Sequence, residues 1–220
     1  MVTKVFLDAE TLPPDESDKV SGSESGSRTE EEFRQLALNP QFGRILCLGL
    51  IIERDGEIVT RGVLGRDRST GRFHLDEAHI LRAFWKLVRD FDDRRDLLIG
   101  FNLLDFDLHF IFTRSVIKRV RPSINVCFAR YRSRPVYDVM WEFCHWRHRI
   151  SLDHLAKILG LQSSKNGISG DSVYDFFLAG RHEEIADYCL KDVELTRAIF
   201  RRLNFIDEPT EDPGGAQPKS

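Results

Sequence analysis

The chain has 220 residues, of which 41% are hydrophobic, 30% charged and 10% aromatic. A chain of this length folding as one unit buries roughly 70% of its unfolded surface, so the composition excludes a disordered or fibrous protein and predicts a single domain over 1–206. The formal charge of −3, from 32 Lys and Arg against 35 Asp and Glu, neither requires nor excludes a nucleic-acid partner.

The longest apolar run, 45–52, is interrupted by Gly49 and falls far short of the ~20 residues of a membrane span. Near the N-terminus, Val5, Phe6 and Leu7 are followed at once by Asp8, so no secretory apolar region can be drawn and a cytoplasmic location is expected. Cys47, Cys127, Cys144 and Cys189 are scattered singly, a spacing that supports neither a zinc site nor a disulfide framework and predicts packed, reduced thiols.

In chain order, the first strand is expected at 2–7. Residues 13–32 are rich in Ser, Gly, Glu and Asp and read as a flexible polar loop. Strands at 45–53 and 57–64 are separated by Arg54, Asp55 and Gly56, where Asp-Gly signals a hairpin turn. Apolar positions 80, 81, 84, 87, 88 and 91 form the stripe of a helix over 76–91. Residues 97–101 carry no polar side chain, as in a strand buried on both faces. Helices then dominate, at about 107–118, 138–147, 151–159, 172–179 and 182–203, before a tail at 207–220 whose Pro and Gly predict disorder. The order predicts an α/β fold: a mixed sheet flanked by helices on both faces, with a helical C-terminal half.

Charge is unevenly spread. Residues 113–149 hold nine Lys or Arg against Asp138 and Glu142, while 1–32 hold three bases and nine acids. A basic flank beside an acidic centre suits a protein that handles a polyanion through bound cations, and it equally suits a solvated surface. The stretch 114–134, interleaved with Phe128 and Tyr131, has the composition of a groove that tracks a phosphate backbone.

Three patterns could carry chemistry. Asp8 and Glu10, two apart on a strand, project to one face, and a divalent cation relieves the repulsion between two such carboxylates; a solvated strand end has the same spacing. Asn102, Asp105 and Asp107 follow the buried strand and open a helix, where Asn102 or Asp105 could cap it and Asp107 could complement its dipole. Tyr188 and Asp192, four apart, share one helix face, where a phenol and a carboxylate could position a water or simply bond to each other.

Together, and in this order, the D-x-E of the first strand, the N-x-x-x-F-D at a strand-to-helix junction and the Y-x-x-x-D of the last helix resemble the three motifs of the DEDDy 3′–5′ exonucleases. The likeness is closest to the proofreading exonuclease domain of family-B DNA polymerases and its stand-alone predicted relatives. FLDAET, IGFNLLDFDLHFI and DYCLKDVELT extend the bare motifs, and SLDHLAKILG lies between the second and third, so the resemblance spans residue 4 to about 203. The sequence departs from the usual pattern at Asp105, where Asn is typical; the Phe106-Asp107 register selects Asp107 as the ligand. The long polar insert after Glu10 is also unusual for the family.

The resemblance implies a ribonuclease-H-like fold in which Asp8, Glu10, Asp107 and Asp192 bind two divalent cations, Mg²⁺ or Mn²⁺, and Tyr188 holds the attacking water. It further implies that Thr11, Leu12, Asn102 and Phe106 contact the terminal nucleotide, with core packing the rival role for Phe106. The implied activity is removal of 5′-mononucleotides from the 3′ end of single-stranded DNA. An exoribonuclease and a catalytically silent nucleic-acid-binding module are the alternatives. With no room for polymerase palm or fingers in 220 residues, the expectation is a domain acting alone or with a protein partner. His145 and His148 read as part of an aromatic surface patch rather than a metal pair. Asp138, Asp153 and Asp171 read as helix caps, with an approach to substrate also open for Asp171.

Overall fold

The computed structural model describes residues 2–15, 29–67, 69–163 and 168–206. Five strands, β1 (Thr3–Leu12), β2 (Arg44–Arg54), β3 (Glu57–Leu64), β4 (Leu97–Gly100) and β5 (Val136–Asp138), form one sheet in the order β3-β2-β1-β4-β5. β2 is antiparallel to β1 and β3, whereas β1, β4 and β5 run parallel, so the sheet is mixed. The seven α-helices of the described residues are α1 (Glu30–Gln35), α2 (Glu77–Leu87), α3 (Asp107–Ile117), α4 (Val139–Cys144), α5 (Leu152–Ile158), α6 (Val173–Leu178) and α7 (His182–Leu203). None of the helices in the described residues is long and apolar enough to cross a membrane.

Strand alternation sorts the core. Val5, Leu7 and Ala9 of β1 face α2 and α3, where Ile80, Leu81, Phe84, Leu108 and Ile111 are buried. Phe6 faces the opposite way, onto Val193, Ile199 and Phe200 of α7, with its ring edge-on to Phe200 at 5.5 Å. Asp8 and Glu10 continue the Phe6 side, so α7 is the helix that meets them. The Asp55-Gly56 turn behaves as its sequence predicts: both residues have positive φ, 49° and 92°, the backbone a tight hairpin between twisted strands requires.

Several elements depart from the sequence reading. β1 runs on to Leu12 because β2 is long enough to pair with it throughout, with a register shift after Glu10. α1 starts inside the expected loop: Thr29 caps it and Glu32 reaches back to the Thr29 N–H, a reciprocal capping box. Residues 16–28 of that loop, and the tail at 207–220, lie outside the described residues. β5 lies just before the expected 138–147 helix and shares only Asp138 with it; its three residues are too few to show a period. α4 then ends at Cys144 because His145 and Trp146 turn left-handed, with φ of 49° and 61°. Asp138 does cap α4, but Ser151, not Asp153, caps α5, and Ser169 caps the 3₁₀ turn Gly170–Ser172 that carries Asp171. Arg114 is no part of a basic surface: it is 6% exposed and paired with buried Glu77.

Candidate active site

The site forms where β1 outlasts its neighbour. β4 pairs with β1 only at Lys4, Val5 and Phe6, so beyond that point the β4-facing edge of β1 is open. The Ala9 N–H on that edge donates to Asp107 Oδ1 at 2.8 Å. That bond ties the first residue of α3 to the strand carrying Asp8 and Glu10, and explains why Asp107, 2% exposed, is not a solvated helix-dipole acid. Neither Asn102 nor Asp105 caps α3; the N-cap position is Phe106, without a side-chain cap bond.

The other side is set by Gly49, which stands opposite Asp8 in the β1–β2 pairing. A Cβ at Gly49 would lie 2.9 Å from Cys189 Sγ, 2.9 Å from Val193 Cγ2 and 3.1 Å from the Cys189 carbonyl oxygen. Only a residue without a side chain admits α7 this closely. Cys189 and Val193 are one turn apart, so their neighbours Tyr188 and Asp192 are carried down onto the acidic end of β1. The Cys189 thiol donates to the Asp8 carbonyl at 3.6 Å, and the ligating atoms of Asp8, Glu10 and Cys189 lie within 4.8 Å of one another.

Asp8, Glu10, Asp107, Tyr188 and Asp192 all line one cavity of about 350 Å³. Thr11, Asn102 and Phe106 line it too, the Thr11 hydroxyl donating to the Ala37 carbonyl at 2.8 Å. Asn102 is left-handed, with φ 56°, and its buried Oδ1 has no hydrogen-bond partner among the described residues. Phe106 both faces the cavity and packs against Phe110 at 5.2 Å. Leu12 is not among the lining residues: at 1% exposure it is packed with Leu46, Cys47 and Val173. Asp105 does not join the acids. Its carboxylate, 10% exposed, binds the guanidinium groups of Arg130 and Arg149 and the Trp141 indole N–H.

The electrostatics are those of acids crowded out of water. Burial first, then the neighbouring carboxylates, raise Asp8 and Glu10 well above the usual range, and burial pushes Asp107 up to about 8. Among the described residues no Lys or Arg pairs with Asp8, Glu10 or Asp107. A set of hard oxygen donors in this state suits divalent cations, which would replace the missing positive charge. Burial, followed by repulsion from Asp192, Glu10 and Asp8, drives the Tyr188 phenol far up, so it stays protonated; it hydrogen-bonds to Asp192.

Cys189, Gly49, Asp171 and Arg149 reach the site without having been singled out as members of it by the sequence reading, Asp171 having been left open between two roles. Only the third-motif spacing could have flagged Cys189, which lies next to Tyr188.

A mixed five-stranded sheet with acids at the end of its central strand and a long C-terminal helix across them is the architecture of the ribonuclease-H-like fold. The family described as "predicted 3′-5′ exonuclease related to the exonuclease domain of PolB" matches residues 38–212, and the chain belongs to it. A DNA polymerase of Archaeoglobus fulgidus is 22% identical over 74% of this chain and 20% of its own length. The family B DNA polymerase of Pyrobaculum calidifontis superposes on 93% of this chain with a TM-score of 0.62 and 20% identity, covering 25% of the polymerase. Escherichia coli exonuclease I, solved with a dT13 oligonucleotide, covers 92% of this chain and 41% of its own at 12% identity, with a TM-score of 0.44. The chain thus spans about a fifth to a quarter of the polymerases it resembles.

Proposed function

We propose that residues 1–206 act as one metal-dependent 3′–5′ exonuclease domain that removes 5′-mononucleotides from the 3′ end of single-stranded DNA. The observation that carries this reading is the convergence of Asp8 and Glu10 from β1, Asp107 from α3 and Asp192 from α7 on one cavity that also holds Tyr188. DNA is preferred over RNA because the family description and the structural likeness both lead to DNA polymerases.

Asp8, Glu10, Asp107 and Asp192 would hold two Mg²⁺ or Mn²⁺ ions, which when bound polarise the scissile phosphate, lower the pKa of the attacking water and neutralise the leaving 3′ oxygen. The protein's own groups supply position. Asp107, fixed by the Ala9 N–H, holds α3 at a set distance from β1. Tyr188, kept neutral, orients the water by hydrogen bonding and does not abstract its proton. Asn102 Oδ1 is an acceptor for a donor group of the terminal nucleotide, Thr11 contacts its sugar end, and Phe106 offers an apolar face to its base.

The test incubates 5′-labelled single strands of DNA and of RNA with Mn²⁺ or Mg²⁺, using a chelator and Asp8→Ala as controls. Stepwise shortening of DNA, absent from both controls, is the expected result. Faster shortening of RNA would make the protein an exoribonuclease, and binding without cleavage a silent module.

A further inference from the structure

The rim of the cavity continues into a surface that the catalytic reading leaves unused. Arg149 lines the cavity and also lies over the ring of Trp141, with its guanidinium carbon 5.5 Å from the ring centre. Trp141 is stacked on Trp146, rings 5.4 Å apart and 3° from parallel, and Trp146 meets Tyr131 at 4.9 Å. Cavity, Arg149, Trp141, Trp146 and Tyr131 therefore form one unbroken path. Tyr131, at its outer end, is 76% exposed.

This surface is built. The left-handed turn at His145 and Trp146 stops α4 and folds Trp146 flat onto Trp141, and Tyr131 is also left-handed, at φ 62°. Asp105 anchors the path from beneath, accepting from the Trp141 indole at 3.2 Å and from Arg149 at 2.8 Å while also pairing with Arg130. Between 127 and 149 five Arg stand against two acids, and one of those, Asp138, is fully buried. Tyr131 is exposed, Trp146 is half-buried with its inner side on the core, and Trp141 lies buried beneath it under the Arg149 guanidinium, so the surface suits a ligand that is both anionic and planar-faced.

We infer that Tyr131 and Trp146, with Arg149 and Arg130 held by Asp105, form a stacking shelf that takes the bases and phosphates of single-stranded nucleic acid upstream of the nucleotide in the cavity. Successive bases stack on the rings without regard to sequence while the arginines follow the backbone. The shelf also gives Asp105 a role: its carboxylate orients the rim arginines and stays out of the cation site. The direction of the strand, 3′ end inward, rests on the exonuclease reading; the shelf itself does not.

The experiment measures binding of a 5′-fluorescein oligothymidylate of about twelve nucleotides, within the span such grooves cover, by fluorescence anisotropy of the full chain in EDTA at low salt. Tyr131→Ala and Trp146→Ala should each raise Kd by about tenfold, the loss expected for one base–aromatic stack, whereas Trp146→Phe, which keeps a ring, should stay within about threefold. Phe205→Ala, another exposed aromatic but at the far end of α7, should change nothing. Tyr131 makes the test robust to misfolding, since so exposed a ring supports little of the fold. The shelf is overturned if both alanine variants bind as tightly as the unaltered protein, if Phe205→Ala weakens binding equally, or if the unaltered protein does not bind the strand. Because no cleavage is involved, shelf-dependent binding by a protein that sheds no nucleotide in Mn²⁺ keeps the shelf and removes the exonuclease reading. Nucleotide release with unchanged binding in the shelf variants does the reverse.

Discussion

Glu77 and Asp107 are both buried acids, 4% and 2% exposed, in the same small protein, yet their surroundings are opposite. Glu77, at the start of α2, binds Arg114 through both carboxylate oxygens, accepts the Ile45 N–H at 2.7 Å and has Lys118 nearby at 3.7 Å. Glu53 and Asp96 follow the same rule, paired with Arg197 and Lys4 and with Arg95 respectively. Asp138, pushed up to about 6 by burial, accepts from the N–H groups of Asn102, Leu104, Met140 and Trp141. Where a buried acid serves the fold, the chain brings its own counter-charge or donors. Asp107, at the start of α3 beside the end of β1, has only the N–H groups of Ala9 and of its own residue, and faces further carboxylates instead of a cation. That difference is what the proposed cation site requires, and under that proposal it separates residues whose loss should unfold the protein from residues whose loss should stop turnover.

The largest effect should come from Asp107→Asn, which is expected to lower nuclease turnover roughly 100- to 1,000-fold, on the scale of removing one charge-stabilising group from an active site, while the melting temperature in EDTA holds or rises. A lowered melting temperature would place Asp107 with Glu77 and dissolve the contrast. The same variant sharpens it through pH. A carboxyl near 8 in the folded state and 3.8 in the unfolded one binds a proton on folding between those values. Its contribution to stability is full below about pH 4 and is lost as pH rises toward 8. Thermal melts in EDTA should therefore show a falling stability over that window that Asp107→Asn reduces and that added Mn²⁺ offsets.

Glu77→Ala is the mirror image. Stranding the Arg114 guanidinium in the core should cost about 3–5 kcal/mol by urea denaturation, with the activity per folded molecule kept. Gly49→Val tests the link between the two kinds of region, since its new methyl groups meet the Cys189 backbone as well as side-chain tips. Overpacking of this sort costs about 1–3 kcal/mol, and the displaced α7 should lower turnover by more than the stability loss accounts for; equal losses would mean that Gly49 serves packing alone. The smallest effect is expected for Asp105→Asn. Its ion pairs reach half-exposed arginines, so stability should move by no more than about 1 kcal/mol, with affinity for a single strand weakened and the metal dependence unchanged.

Much of this was legible in the sequence wherever the signal is local. The Asp55-Gly56 hairpin, the all-apolar β4 and the 22-residue α7 follow from turn chemistry, run length and helical period. The Asp8–Glu10 and Tyr188–Asp192 pairs follow from the two-residue and four-residue spacings that share a face. What escaped is either too short to show a period, as with β5, or hidden by composition, as with α1 behind a Ser- and Gly-rich stretch. Leu12 continues the strand face of Asp8 and Glu10 but is buried against α6 and α7, a packing of remote segments that spacing alone does not announce.

From its residues alone this chain dictated which acids share a strand face, which helix carries the tyrosine and in what order the motifs arrive, because each depends on atoms a few positions apart. Contacts between remote segments settled the rest: that Gly49 lets α7 settle onto β1, that Cys189 meets Asp8 across 181 residues, and that Asp105 turns to the arginines while Asp107 turns to the strand. The reason is physical. Spacing along a chain sets direction, but only packing sets distance, and a cation or a nucleotide responds to distance.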